Sequence, residues 1–192
     1  MLRRPLGRLG ARLLSLLVLA GCARDGATPV GPIAPPQPSA SLLGTLLPVK
    51  GLTRVTPLAQ DISVSAVIGS KGGTISIPGA GLTLVVPPNA VRSNVTFTAT
   101  ALAGKLVAYE FQPHGVTFAV PLQFTQDLRQ TSLVGWLTSP LMRGAYFENE
   151  SQLDQGSGTA LVNELLPATV DLLRFRVRFG INHFSGYLVS WQ

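Results

Sequence analysis

The chain has 192 residues, of which 46% are apolar and only 12% are charged, which suits one folded domain with attachments or at most two small domains. Its formal net charge of +6 is concentrated at the N-terminus, because four of the 15 basic residues precede the first apolar run and the other 11 face 9 acidic residues. This balance gives no electrostatic basis for binding nucleic acid, which we exclude as a partner. With two histidines and one cysteine the chain lacks the ligands of a multi-histidine or thiolate metal site, and we predict no metal and no cofactor.

The N-terminal residues have the order of a secretory signal. A basic stretch is followed by Leu13–Ala20, which is apolar apart from Ser15 and is too short to cross a membrane as a helix, since that needs about 20 residues. The stretch ends in LAGC, which resembles the lipobox of bacterial lipoproteins. The resemblance implies that residues 1–21 are a signal peptide and that Cys22 carries the attached lipid. It also implies a bacterial cell-envelope location, anchored to the membrane through Cys22 on its periplasmic or cell-surface side.

Two other interpretations of this segment stay open. The first is an ordinary signal peptide with a cysteine nearby by chance. The second is twin-arginine export, which Arg3 and Arg4 suggest although the residues after them fit that signal poorly. Cys22 is the only cysteine, so no disulfide forms within the monomer under any of these interpretations.

A proline-rich segment, residues 22–60, follows the signal. Proline favours an extended polyproline backbone, so we predict that the part up to Ala40 is a disordered tether attached to the lipid anchor. The later part, SLLGTLLPVKGL, is too apolar for a plain linker, and we expect it to pack along the domain that follows. The prolines of this segment are Pro29, Pro32, Pro35, Pro36, Pro38, Pro48 and Pro57.

Residues 61–192 show the pattern of β-strands. In ISVSAVI and NVTFTATA every second residue is apolar, which is the period of a half-buried strand. Pro121, inside the similar run VTFAVPLQF, marks an edge or a bulge, and the pair Pro87–Pro88 stops a strand. We predict an all-β domain, an antiparallel β-sandwich. The only helix-like stretch, Thr159–Leu166, is predicted as a loop or a single turn.

The late run RFRVRF, residues 174–179, is the one locally basic feature of this domain. Its arginines alternate with apolar residues, and alternate residues of a strand point to opposite faces of the sheet. We therefore predict a strand whose arginines form a solvated face and whose two phenylalanines and valine form the buried face.

Three stretches of the domain, read in order, resemble one family. They are GGTISIPGAGLTLVVPPNAV, AYEFQPHGVTFAVPLQFTQDL and HFSGYLVSW. In this order and spacing they resemble the ZU-five domain of ankyrins, netrin receptors and a zonula occludens scaffold protein, which also occurs in bacterial envelope lipoproteins. The resemblance covers residues 61–192 and leaves Thr131–Pro167 unplaced. It implies a non-enzymatic domain that binds an envelope protein partner. The position of His114 between Pro113 and Gly115 predicts a turn residue.

A second hypothesis is a module that binds glycan or cell wall. Sugar sites use exposed aromatic side chains, and the candidates in the unplaced region are Trp136, Tyr146 and Phe147. The acidic loop FENESQLDQG also raises a calcium alternative, against that of a solvated loop, although its spacing matches no EF-hand. The carboxylates concerned are Glu148, Glu150 and Asp154.

The third hypothesis is a single self-cleavage at the sequence HFS. A few ZU-five domains carry His-Phe-Ser and cut themselves between Phe and Ser. The resemblance implies attack by the Ser185 hydroxyl on the Phe184 carbonyl, with His183 as general base and hydrolysis of the resulting ester. If the last strand continues without a bulge, alternate residues from 175 to 191 share one face, which puts His183 and Ser185 on the same side. The rival interpretation is a polar interruption in a structural terminal strand.

Overall fold

The computed structural model describes residues 45–132 and 141–191, and within these ranges it forms sixteen β-strands, two short 3-10 helices and no α-helix. The strands are β1 (Leu47–Gly51), β2 (Thr53–Leu58), β3 (Ile62–Ile68), β4 (Gly73–Ile77), β5 (Leu82–Val86), β6 (Val95–Ala101), β7 (Gly104–Leu106), β8 (Ala108–Gln112), β9 (Thr117–Asp127), β10 (Met142–Phe147), β11 (Leu153–Asp154), β12 (Thr159–Val162), β13 (Glu164–Pro167), β14 (Thr169–Asp171), β15 (Arg176–His183) and β16 (Gly186–Trp191). The 3-10 helices are η1 (Pro78–Ala80) and η2 (Glu150–Gln152).

Two antiparallel sheets carry the fold. In the larger sheet the strands β3, β6, β8, β16, β10 and β13 lie side by side in that order. Strand β10 runs along one whole edge of β16, while the other edge is shared by β8 and then by β1, which leads on to β12 and β11. The smaller sheet has the order β14, β15, β9, β5, β4, and β2 and β7 form a separate two-stranded ribbon.

The main core lies between the two sheets and is rich in aromatic rings. The inward residues of β6, β8, β9 and β15 alternate with polar or exposed ones, as period-2 strands require. The largest fully buried side chains here include Tyr109, Tyr187, Phe97, Phe111, Phe124 and Phe184. The predicted antiparallel β-sandwich is confirmed.

A second, smaller core lies on the opposite face of the larger sheet. Strand β16 contributes to both cores, because Tyr187 and Val189 point into the main core while Leu188 packs with Phe147 and Val49 in the second one. A strand that is buried on both faces has no polar face, which explains why GYLVSW reads as a nearly continuous apolar run.

A buried polar group lies at one end of the main core. The Tyr109 hydroxyl oxygen is 2.6 Å from both the Ala80 carbonyl oxygen and Gln126 Oε1, and burial raises the pKa of Tyr109 to about 12, opposed by the nearby Arg54. The Arg54 guanidinium lies over the Tyr109 ring at 5.6 Å and donates from Nη1 to the Leu106 carbonyl oxygen. Burial lowers the pKa of Arg54.

Several local predictions are confirmed. Strand β3 alternates between half-buried and exposed residues, as ISVSAVI predicted, and β5 ends at Val86, directly before Pro87–Pro88. Pro121 lies at a β-bulge, because β15 pairs Ile181 with Leu122 but His183 with Thr117.

The tether predicted for residues 22–60 does not extend to residue 60. Strands β1 and β2 lie inside that range, where β1 pairs with β12 and β16 and β2 pairs with β7. Leu52, between these strands, is almost fully buried in the main core. The described part of SLLGTLLPVKGL packs with the domain, as expected, and also forms part of its larger sheet, so the strands of the domain begin at Leu47 rather than at Asp61.

Two further local predictions are wrong. Thr159–Leu166 is not a loop or turn, because β12 and most of β13 lie there and pair with β1, β11 and β10. In the run RFRVRF only residues 176–179 belong to β15; Phe175 precedes the strand in the turn and is 38% exposed instead of lying on the buried face. Val177 and Phe179 are buried as predicted.

Candidate functional site

The HFS segment connects the two sheets instead of lying within one strand. Strand β15 ends at His183 in the smaller sheet, and β16 begins at Gly186 in the larger one. The condition for a shared face of His183 and Ser185, a last strand without interruption, is therefore not met, because β15 pairs with β9 across the bulge while β16 pairs with β10, β8 and β1. The alternation that was to place His183 and Ser185 on one face does not continue through this crossover.

Phe184 anchors the crossover in the main core. Its side chain is 1% exposed and its ring lies 4.5 Å from that of Phe97, 4.8 Å from that of Phe118 and 5.6 Å from that of Phe111. Its backbone N–H donates to the Val116 carbonyl oxygen at 2.9 Å, and its carbonyl oxygen accepts from the Gly115 N–H at 3.2 Å. These contacts fix both the ring and the peptide groups on either side of it.

Ser185 is also buried, and its hydroxyl bonds a neighbouring strand of the larger sheet. Ser185 Oγ donates to the Phe147 carbonyl oxygen at 3.3 Å, and the Ser185 carbonyl oxygen accepts from the Phe111 N–H at 3.0 Å. Across residues 45–132 and 141–191 no hydrogen bond joins the Ser185 hydroxyl to the His183 ring. A general base must come within hydrogen-bond distance of the proton that it removes.

His183 lies between two tyrosines. The Tyr187 hydroxyl donates to the His183 carbonyl oxygen at 2.7 Å, and the Tyr146 ring stands edge-on to the imidazole at 4.8 Å between centroids. Burial raises the pKa of both phenols, with the neighbouring Tyr146 and Glu164 adding to the shift of Tyr187. The two rings that flank the imidazole are therefore neutral phenols.

One element of the predicted chemistry is present at this segment. The Gly115 N–H points at the Phe184 carbonyl oxygen, where negative charge would develop during attack by Ser185. Gly115 has a left-handed φ of 77°, which lets the turn after β8 bring that N–H into place. His114 is exposed in the same turn. The segment thus offers a donor for an oxyanion, without an aligned base and nucleophile.

Two of the three aromatic residues predicted for a sugar site lie in the described part of the chain, and neither is an exposed ring. Phe147 is fully buried in the second core, so it is not a sugar platform, and Tyr146 is half-buried beside His183. Trp136 and the predicted lipid-attachment residue Cys22 lie outside the described residues.

An open groove of about 660 Å³ lies beside the second core, at a place that the sequence analysis did not single out. Its lining is mainly apolar and comes from β1, η2, β11, β12 and the end of β16. Leu161 in this lining is 45% exposed, and Lys50 Nζ lies 5.0 Å from the centre of the Trp191 ring. Trp191 was not considered for a sugar site because the candidates were taken from the unplaced region Thr131–Pro167, whereas Trp191 ends the stretch HFSGYLVSW.

The carboxylates of the acidic loop do not gather into a cluster. Among the described residues no three histidine, cysteine, aspartate or glutamate side chains come together in a way that would hold a metal ion, and this applies to Glu148, Glu150 and Asp154. The Asp154 carboxylate instead accepts hydrogen bonds from the Ser157 hydroxyl and from the Ser157 and Gly156 N–H groups, which hold the pKa of Asp154 below its usual value. The Asp154 carboxylate therefore stabilises the turn formed by residues 154–157.

No helix in the described part of the chain is long and apolar enough to cross a membrane. A comparison with family models gives no match, and no curated protein matches the chain either. The likeness to the ZU-five domain therefore stays a resemblance of sequence motifs, and the all-β sandwich is what the structure establishes.

Proposed function

We propose that this protein is a lipid-anchored protein of the bacterial cell envelope whose β-sandwich binds a protein partner without catalysing a reaction. The observation that carries the proposal is the groove between β1, η2, β11, β12 and Trp191. A concave, mainly apolar surface of about 660 Å³ is large enough to take several side chains of a partner. The anchor is supported by the LAGC sequence and by the presence of a single cysteine in the chain.

The chemistry of the groove favours a protein partner over a glycan. The Lys50 ammonium group lies over the Trp191 ring, where a sugar would stack. Two polar side chains of the lining are already used by the protein itself. Gln152 bonds the Glu148 and Asn149 N–H groups and the Leu161 carbonyl oxygen, and Asp154 bonds its own turn. A sugar needs several free polar groups for its hydroxyls, whereas an apolar peptide side chain does not.

Site-specific crosslinking in the cells that make the protein tests this proposal. A photoreactive amino acid replaces Leu161 in the groove, and the matched control replaces Val67, a comparably exposed apolar residue on β3. We expect one discrete crosslinked protein with the groove position and none with the control position. A groove position that yields no product, or the same products as the control, contradicts the proposal.

A second arm separates the glycan hypothesis from the protein-partner proposal. Purified protein is mixed with purified cell wall and sedimented, with Trp191→Ala as the groove variant. We expect no pelleting of either form. Pelleting of the wild type that Trp191→Ala abolishes would assign the groove to a glycan and overturn the proposed protein partner.

The anchor is tested separately by mass spectrometry of the membrane fraction. We expect a mature chain that begins at Cys22 and carries the mass of diacylglycerol, with Cys22→Ala leaving the protein unprocessed. A mature chain with another first residue, or without the lipid mass, contradicts the anchor while leaving the crosslinking result to be judged by itself.

A further inference from the structure

The turn between β14 and β15 exposes apolar side chains at its tip. Leu173 is 94% exposed, Leu172 is 55% exposed and Phe175 is 38% exposed, which makes this four-residue turn the most apolar exposed segment of the described chain. A single exposed leucine is ordinary, but three large apolar side chains on one turn mark a surface that contacts something apolar. We call residues 172–175 the hairpin tip.

The conformation of the hairpin tip is specific. Phe175 has a φ of 53°, a left-handed backbone that bulky residues rarely adopt. The Phe175 carbonyl oxygen accepts from the Leu128 N–H at 2.8 Å, and the Arg129 guanidinium lies 5.7 Å from the centre of the Phe175 ring. The contacts with Leu128 and Arg129 thus hold the Phe175 ring at the surface.

Basic residues surround the hairpin tip. Arg174 pairs with Asp171 and Arg129 pairs with Asp127, so these four charges cancel. Arg176 and Arg178, on the adjacent part of β15, form no ion pair within the described residues, which leaves this end of the domain with an excess of two positive charges. The tip is therefore apolar, and the residues next to it carry a net positive charge.

We propose that the hairpin tip inserts into the interfacial region of an anionic lipid bilayer. Leucine and phenylalanine side chains gain free energy when they leave water for the acyl boundary, and arginines beside them are attracted to anionic headgroups. A protein partner would need about 800 Å² of contact on each side for a stable interface, which a single four-residue turn does not supply. A bilayer requires only that a few apolar side chains enter it. The proposal does not depend on the lipid anchor, because it concerns residues of the folded domain alone.

An environment-sensitive fluorophore attached at the tip tests this insertion. The full-length chain with Cys22→Ser has no thiol, so Leu173→Cys in that background gives one labelling site. The matched control is Val67→Cys in the same background, a site that is 67% exposed and lies on β3. Both proteins carry the same N-terminal segment, so any binding through residues 1–21 affects both labels equally. The vesicles are phosphatidylglycerol with phosphatidylethanolamine, compared with phosphatidylcholine alone.

We expect a blue shift and quenching by lipid-borne quenchers at position 173 with the anionic vesicles, and neither at position 67. Leu172→Ser with Leu173→Ser should lower vesicle partitioning at least about tenfold. Arg176→Gln and Arg178→Gln should each lower it about fivefold on anionic vesicles, and added salt should act in the same direction.

Three outcomes overturn the proposal. One is an unchanged fluorophore at position 173 with both kinds of vesicle. Another is an equal response at positions 67 and 173, which would place binding elsewhere in the chain. The third is a response at position 173 to an isolated protein partner and not to vesicles, which would assign the tip to a protein. Because Cys22 is replaced in every variant, none of these results depends on whether the natural chain is lipidated.

Discussion

Strand β15 has a phenylalanine at each end, and the two behave in opposite ways. Phe184, just after the strand, is 1% exposed and packs among three other phenylalanines, whereas Phe175, just before it, is 38% exposed on the hairpin tip. Phe184 belongs to the HFS motif, which suggested self-cleavage, and Phe175 belongs to the run RFRVRF, which suggested an ordinary strand with one buried face. The comparison teaches that the environment of a motif decides its role. The buried HFS segment, whose backbone is hydrogen-bonded, stabilises the fold, whereas the exposed hairpin tip can contact another molecule or surface.

The packing around the two residues explains the difference. Phe184 makes edge-to-face contacts with Phe97 and Phe118 and stacks near Phe111, arrangements that aromatic rings prefer. Phe175 has one contact of comparable kind, with the Arg129 guanidinium. Truncating the two side chains should therefore have very different effects on the free energy of unfolding.

The largest expected effect comes from Phe184→Ala. Removing the ring leaves a cavity in the main core, and we expect the free energy of unfolding to fall by about 3–5 kcal/mol. The matched variant Phe175→Ala should lower it by less than about 1 kcal/mol, because the ring is already in contact with water. Urea denaturation of both variants measures the difference, and similar losses for the two would contradict the contrast between the ends of β15.

A smaller effect is expected at Gly186, the residue that follows the crossover. A Cβ at this position would collide with the Phe147 ring, which is itself fully buried in the second core. We expect Gly186→Ala to lower the free energy of unfolding by about 1–3 kcal/mol through overpacking. Gly79 in η1 is the control, because a Cβ there meets no atom within 4 Å.

Thermal or urea unfolding of these two glycine variants sharpens the comparison. Gly79→Ala should be nearly neutral. If Gly186→Ala were equally neutral, the crossover would be more loosely packed than its contacts indicate, and the HFS segment would have room to rearrange.

Local patterns in the sequence predicted much of the sandwich. Period-2 alternation placed β3 and β6, the pair Pro87–Pro88 ended β5, and Pro121 marked the bulge in β9. Each of these features depends on a few adjacent residues, namely side-chain alternation or the missing N–H of proline. They could be read without knowing which strands pair.

The errors arose where distant pairing decides the outcome. The domain was predicted to begin at Asp61, with SLLGTLLPVKGL only packing along it, yet Leu47–Leu58 forms two strands that pair with β12, β16 and β7. The change of sheet between His183 and Gly186 likewise depends on distant partners. Strand β15 pairs with β9 and β16 pairs with β10, and the paired residues are at least 39 positions apart in the sequence. Trp191 gained its place in the groove only through the pairing of β16 with β1. No local pattern carries that information.

The smallest expected effect concerns the bond between Phe184 and Ser185, for which we expect no cleavage at all. Cleavage would require the Ser185 hydroxyl to leave the Phe147 carbonyl oxygen and to be deprotonated by His183, which lies against Tyr146 and Tyr187. The Gly115 N–H alone would stabilise the oxyanion without a nucleophile directed at the carbonyl carbon.

Denaturing mass spectrometry of the purified protein, incubated for days at neutral pH, provides the measurement. We expect one species at full mature mass, and the same behaviour for Ser185→Ala. Release of the octapeptide Ser185–Gln192, lost in Ser185→Ala, would show instead that the crossover rearranges and cuts itself. Denaturing conditions are essential, because β16 pairs with β10, β8 and β1 and a cut strand would stay bound to the native domain. In that case His183→Ala should also abolish the cut, whereas Phe175→Ala, at the far end of β15, should leave it unchanged.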